Sequence, residues 1–211
     1  MKRALIVRGG WLGHEPMEVS EILGTALRKH GFHVEFAETL DVFKDEAKMA
    51  NLDLIVPIWT MGTIERDQLK PLLDAVRNGT GIAGVHGGMG DAFRNETEFQ
   101  YMVGGQWVAH PGGDGVTYQV HIEDVDSPIT AGLKDFTVTS EHYYMHVDPG
   151  NQVLATTRFG DVVMPVTWTK KYGKGRVFYC SLGHVAKVFD IPEVLEMVTR
   201  GMLWAAEKDA D

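Results

Sequence analysis

Several things are scarce in this sequence, and each scarcity removes a class of protein. The chain holds one cysteine, Cys180. A single thiol forms no internal disulfide, so a disulfide-stapled scaffold is excluded and a reducing, cytoplasmic setting is the expectation. Cys180 sits inside the apolar run VFYC, where a thiol is expected to be buried and inert. No apolar run approaches the ~20 residues of a membrane-spanning helix. The opening MKRALIVRGG has a basic start and a short apolar stretch. It lacks a long hydrophobic region and a small-residue cleavage site, so a first β-strand explains it better than a signal peptide. Basic residues are outnumbered: 20 Lys and Arg face 29 Asp and Glu, for a formal net charge of -9. No short window is strongly basic, which argues against nucleic acid or anionic lipid as a partner. Gly9-Gly10, Gly87-Gly88 and Gly112-Gly113 complete neither the dinucleotide-binding nor the P-loop pattern, so no nucleotide cofactor is expected. There is no HExxH, no CxxC pair and no EF-hand ladder, so local spacing declares no metal site.

What is present is an ordinary globular composition, 44% hydrophobic and 23% charged, without internal repeats or a Ser/Pro/Gly linker. One domain over residues 1–211 is expected. The first half alternates strand and helix patterns. Apolar runs at residues 4–7, 32–36, 52–59 and 81–86 read as strands. Residues 18–30 and 65–77 read as helices closed by Gly31 and Asn78-Gly79, with a weaker helix near 42–49. Near-continuous apolar strands separated by helices predict a mostly parallel sheet covered on both faces. The second half is less regular. A helix is expected at 97–103, a half-exposed strand at 116–123, short strands at 136–138, 153–157 and 165–168, a strong strand at 175–181, and an amphipathic helix at 192–207. These give the parallel core antiparallel additions.

Ligands of open parallel sheets bind outside the carboxyl ends of the strands. Four such ends can be inspected. GGWLGHE follows the first strand, WTMGT the third, HGGMGD the fourth and SLGH the late one. Three of the four place a histidine, His14, His86 or His184, beside glycine. Glycine lets backbone approach a ligand closely, and imidazole supplies a proton-transfer group or a metal ligand near neutral pH. His86 also ends its strand directly before small residues and a helix, the strand-turn-helix pattern of a nucleophile elbow. Imidazole there suits acid–base work or metal binding rather than acyl transfer.

Two clusters lie in the irregular half. QWVAHP joins Trp107 to His110. SEHYYMH joins Glu141, His142, Tyr143 and Tyr144. If that segment is extended, Glu141 and Tyr143 share one face while His142 and Tyr144 share the other. Aromatic side chains among polar ones suit the apolar faces and hydroxyls of a sugar, and equally suit an ordinary packed strand. His14, His86, Glu141, His142 and His184 can meet only through the fold; neutral imidazoles with a carboxylate suit zinc or a similar divalent ion. The substrate-binding candidates are Trp11, Trp59, Trp107, His110, Tyr143 and Tyr144, the catalytic candidates His86, Glu141 and His184, and the metal candidates His14, His86, His142 and His184.

GGWLGHEP, GIAGVHGGMGDAF, GGQWVAHP, SPITAGLKDFTVTSEHYY and PVTWTKKYGKGRVFYCSLGH span most of the chain in order. At these motifs it resembles the ThuA-like, or trehalose-utilisation, family. The resemblance implies a flavodoxin-like fold of the class I glutamine amidotransferase type: a three-layer α/β sandwich with a mostly parallel central sheet and antiparallel additions. It also implies a role in carbohydrate use, typically beside a sugar oxidoreductase. Glutaminases of that fold carry a cysteine at the elbow, where this chain has His86 with Cys180 on another strand, so glutaminase activity is not expected. Two function classes follow. One is an enzyme acting on a sugar or keto-sugar by His/Glu acid–base chemistry with metal assistance. The other is a non-catalytic sugar-binding or regulatory module, or a subunit of a sugar oxidoreductase complex. The sequence leaves homo-oligomer formation open.

Overall fold

A computed structural model describes residues 1–208 of the chain. The strands are β1 (Arg3–Gly10), β2 (His33–Ala37), β3 (Leu54–Thr60), β4 (Gly81–Val85), β5 (Gly105–Ala109), β6 (Val116–Ile122), β7 (Phe136–Ser140), β8 (Tyr144–Val147), β9 (Gln152–Phe159), β10 (Val162–Tyr172) and β11 (Gly175–Cys180). The α-helices are α1 (Pro16–Lys29), α2 (Glu46–Met49), α3 (Arg66–Arg77), α4 (His86–Gly90), α5 (Thr97–Val103) and α6 (Pro192–Ala205). Among the described residues, nine strands form one sheet in the order β2-β1-β3-β4-β11-β10-β9-β6-β7, and β5 pairs with β8 in a second, small sheet.

The large sheet has two halves. The run from β2 to β11 is parallel, and the run from β11 to β7 is antiparallel. Alternation along β1 shows why helices cover both faces. Ala4 and Ile6 join the core beneath α1 and α6, with Leu23, Leu27, Val194 and Val198. Leu5 and Val7 join the opposite core, with Leu72 and Val76 of α3 and Phe99 of α5. All four β1 side chains are buried, and full burial of each Leu or Ile contributes about 1.5–3 kcal/mol before entropy. The architecture is the mostly parallel α/β sandwich with antiparallel additions that the pattern predicts.

Two local differences have clear causes. The expected helix at 42–49 is split. Thr39 caps a 3-10 turn over Leu40–Lys44, and Asp45 then accepts from the Lys48 amide to start α2. These side-chain caps compete with a continuous helix. The strand expected at 165–168 runs over Val162–Tyr172, with an irregular register around Pro165 to Trp168. Among the described residues, no helix is long and apolar enough to cross a membrane.

Candidate functional site

The sheet places its polar residues at the carboxyl ends of the parallel strands. A 3-10 turn over Leu12–His14 follows β1 and presents His14. β4 ends at Val85, and α4 begins at His86 without a connecting loop. His184 lies four residues beyond the end of β11. Glu141 arrives from the antiparallel half, one residue after β7. The four ligand-capable atoms of His14, His86, Glu141 and His184 lie within 4.8 Å of one another, and all four residues are buried.

Backbone strain is concentrated here. Among the described residues, the non-glycine residues with positive φ are Glu15, Met61, His86 and Phe93. They follow β1, β3 and β4, and such conformations persist only when the surroundings enforce them. His86, at φ 47°, is held from several sides. Its carbonyl accepts from the Tyr179 hydroxyl at 2.8 Å, and its ring stacks on Tyr143 with centroids 3.9 Å apart. Gly87 matters for the same reason: a Cβ there would meet the His14 ring at 2.7 Å.

The hydrogen bonds of His86 fix its chemistry. Nδ1 lies 2.8 Å from the Ser181 carbonyl, which can only accept, so Nδ1 carries the proton. Burial pushes the His86 pKa from 6.5 down to about 4, against the pull of Glu141. At neutral pH the ring is therefore neutral and its Nε2 has a bare lone pair. That lone pair faces Glu141 Oε2 at 3.0 Å and His184 Nδ1 at 3.3 Å. His184 is likewise pushed down by burial. Burial raises the Glu141 carboxyl, but the surrounding imidazoles outweigh it and hold the group below the usual carboxylate range. The His86 Nε2 lone pair thus faces an ionised carboxylate, with ring nitrogens of His184 and His14 beside it. His184 Nδ1 is 3.4 Å from Glu141 Oε2, and His14 Nε2 is 3.8 Å from it. Metal–nitrogen bonds of about 2.0–2.1 Å put the ligands of a tetrahedral ion roughly 3.4 Å apart. The donor set and its spacing fit a zinc-like divalent cation. Outer contacts orient two of the rings, through the Ser181 carbonyl for His86 and Thr60 Oγ1, 2.8 Å from Nδ1, for His14.

A cavity of about 170 Å³ opens beside this cluster, lined by Trp11, His14, Thr60, Met61, Asp91, Arg94, Trp107, His110, Glu141 and Tyr143. Of the sequence candidates, Trp11, Trp107, His110 and Tyr143 meet there. Glu141 Oε1 turns towards His110, whose Nε2 is 3.7 Å away. The remaining candidates lie elsewhere. Trp59 packs over Gly9 and Gly62, and Tyr144 meets Phe159 edge-on. His142 stacks on Tyr118 with centroids 4.0 Å apart and contacts Phe159. Its expected place among the ligands is taken by its neighbour Glu141, because successive residues of an extended segment point to opposite sides. Thr60, Met61, Asp91 and Arg94 line the cavity and are not among the sequence candidates. Thr60 ends β3 at the same edge as the histidines, and Arg94 follows Asp91 at i+3, which were the available signals. Cys180 is fully buried, and burial raises its thiol pKa to about 11.

Comparison with known families decides the chain's kinship. A family model described as ThuA, trehalose utilisation, matches residues 3–205. The chain belongs to that family. Two ThuA-like structures share its fold over nearly the full length of both chains. The Parabacteroides merdae protein is 19% identical with a TM-score of 0.78, covering 100% of this chain and 92% of its own. The Bacteroides uniformis protein is 16% identical with a TM-score of 0.82, covering 99% and 92%. A β-galactosidase from Bacillus circulans aligns at 13% identity and a TM-score of 0.63, covering 97% of this chain but 30% of that enzyme. No curated protein sequence matches the chain. Membership of a trehalose-utilisation family ties this ThuA chain to carbohydrate use.

Proposed function

We propose that this ThuA protein is an enzyme of carbohydrate utilisation that acts on an oxidised, keto-form sugar at a centre in which His14, His86, Glu141 and His184 hold a divalent ion such as zinc. The observation that carries the reading is the His86 tautomer. With Nδ1 donating to Ser181, the Nε2 lone pair faces a carboxylate oxygen 3.0 Å away, and a cation between them turns a repulsive arrangement into ligation. A bound ion supplies Lewis-acid polarisation of a ligand carbonyl, which acidifies the neighbouring C–H.

The chain's own residues supply the rest. His86 is almost fully enclosed and both its ring nitrogens are committed, so a ligand role suits it better than direct contact with substrate. Among the cavity-lining residues, the Asp91 carboxylate is taken by Arg94, and the basic atoms left outside the ligand set are His110 Nε2 and Glu141 Oε1, which face each other. They are placed to receive a proton lost from the carbon beside the carbonyl, while the electron pair of that C–H bond moves onto the carbonyl oxygen. Return of that proton to the former carbonyl carbon, with the neighbouring hydroxyl's proton passing to the first oxygen, gives the isomeric keto-sugar; collapse of the enolate with expulsion of the glycosidic oxygen, which takes up the proton, gives cleavage. Trp11, Trp107 and Tyr143 offer ring faces to the sugar. A keto-sugar substrate implies an oxidoreductase that forms it.

The test is turnover of 3-keto-glycosides and their unoxidised parents by metal-stripped and zinc-loaded protein. Zinc-dependent turnover confined to the keto forms, and lost in Glu141→Gln, is expected. Sugar binding without turnover under every metal condition would replace this reading with that of a sugar-binding module.

A further inference from the structure

Arg94 is held unusually firmly for a half-exposed side chain. Its Nε and Nη2 donate to the two oxygens of Asp91 at 2.6 and 2.8 Å, a planar fork-to-fork pair. The Asp91 carboxylate is buried, whereas the Arg94 side chain is 46% exposed. The guanidinium lies over the Trp107 ring, 4.8 Å from its centroid. The backbone beneath is fixed as well. Met61 N donates to the Asp91 carbonyl and Phe93 N to the Met61 carbonyl, while Gln100 Nε2 donates to the Arg94 carbonyl at 2.7 Å. Met61 and Phe93 both have positive φ. Arg94, Asp91 and Trp107 all line the cavity that also receives His14 and Glu141.

We infer that Arg94, locked between Asp91 and Trp107, reads neighbouring hydroxyls of the bound sugar ring and thereby sets which sugar the site accepts. The inference rests on the sugar reading of the site and adds the residue that discriminates. A guanidinium has five N–H donors, and Asp91 takes two of them, so donors remain for a ligand. Asp91 cancels the charge, and Glu141 adds a second carboxylate to the cavity, so the unused donors suit neutral hydroxyl oxygens rather than a sugar acid. A pair of adjacent hydroxyls matches the spacing of two N–H groups on one planar fork. The Trp107 face beneath adds apolar surface of the kind that ring C–H groups cover. The cavity, at about 170 Å³, is smaller than the roughly 300–1,000 Å³ of pockets for drug-sized ligands. It therefore takes one ring, and the remainder of a glycoside lies outside, towards half-exposed Trp11.

The experiment measures binding of methyl α-D-glucopyranoside and its 2-, 3- and 4-deoxy derivatives to the full-length, zinc-loaded protein by calorimetry, which needs no turnover. Arg94→Lys is the main variant, because lysine still neutralises buried Asp91 but lacks the fork. In the wild type, loss of a hydroxyl that Arg94 contacts should weaken binding roughly tenfold or more. In Arg94→Lys that penalty should fall below about twofold, with zinc content unchanged. Asp91→Asn combined with Arg94→Met, which leaves no lone buried carboxylate, should give the same flattening. Glucoside binding with the same deoxy penalties in wild type and variants overturns the role of Arg94 and leaves the sugar reading standing. Failure of the zinc-loaded wild type to bind any of the glucosides, or methyl 3-keto-α-D-glucopyranoside added to the same series, overturns the sugar reading, and this inference with it.

Discussion

Two cavities lie at opposite ends of the parallel strands. The one beside the strand starts, lined by Glu46, Met49, Lys70, Asp74, Thr80 and Lys208 among others, has a volume of about 370 Å³. The one at the strand ends, about 170 Å³, is less than half that size. The larger cavity has charges that already answer one another. Lys70 and Arg77 both pair with Asp74 on exposed side chains, and such pairs contribute about 0–1 kcal/mol. In the smaller site the four ligand-capable groups are buried within 4.8 Å of one another, and the His86 Nε2 lone pair faces a carboxylate oxygen. Volume offers room for a ligand; a buried cluster of three imidazoles and a carboxylate has the composition of a metal-ligand set.

Substitutions at the two ends should separate accordingly. His86→Ala should lower zinc affinity by more than about 100-fold, as loss of one of four ligands and its outer contact to Ser181 demands. Lys70→Met with Asp74→Asn at the other cavity should leave affinity within twofold. Equal losses at both ends, measured by competition with a zinc chelator, would erase the distinction.

Acid should also affect the histidine end selectively in the metal-free protein. The His86 pKa is about 4 folded and 6.5 in its ordinary state. Between those values the unfolded chain takes up a proton that the folded chain does not, so stability falls as pH falls from about 6.5 to 4 and the contribution levels off below 4. His184 acts in the same direction. The expected loss is a few kcal/mol over that window, read from urea unfolding at each pH. His86→Phe should show a shallower slope; an identical slope would remove His86 as its source.

Gly87→Ala probes packing rather than ligation. The added methyl meets the His14 ring, so zinc affinity should fall roughly tenfold while the far-ultraviolet dichroism stays native. Unchanged affinity would show that His14 is not held where its ring now lies. The smallest effect is expected at His142, whose buried Nε2 has no hydrogen-bond partner. His142→Phe removes that unsatisfied atom and keeps the stack on Tyr118, so zinc affinity should not move and stability should rise by up to about 1 kcal/mol. A loss of zinc there would return His142 to the ligand set.

These residues also show how far the sequence could be read. His14, His86 and His184 were legible because a parallel sheet brings all its strand ends to one edge, so a local pattern has a global address. Glu141 could be named but not placed. Its position depends on the β6–β7 register, Val116 opposite Ser140, and such long-range antiparallel pairing leaves no local signature. His142 was grouped with it by adjacency, although the alternation noted for that segment separates the two. Arg94 was within reach, since Asp91 and Arg94 at i, i+3 form a local pair, but only the fold brings Trp107 beneath it. The β5–β8 sheet, which carries Trp107, was not visible in two segments 34 residues apart.

The proposed function requires a cation among the four buried groups of His14, His86, Glu141 and His184. Calorimetric titration of metal-stripped wild-type protein with zinc, run beside Glu141→Gln, tests this directly. It predicts one ion per chain for the wild type, with affinity at least about 100-fold weaker in the variant. No binding by the wild type, or equal binding by both proteins, would contradict it.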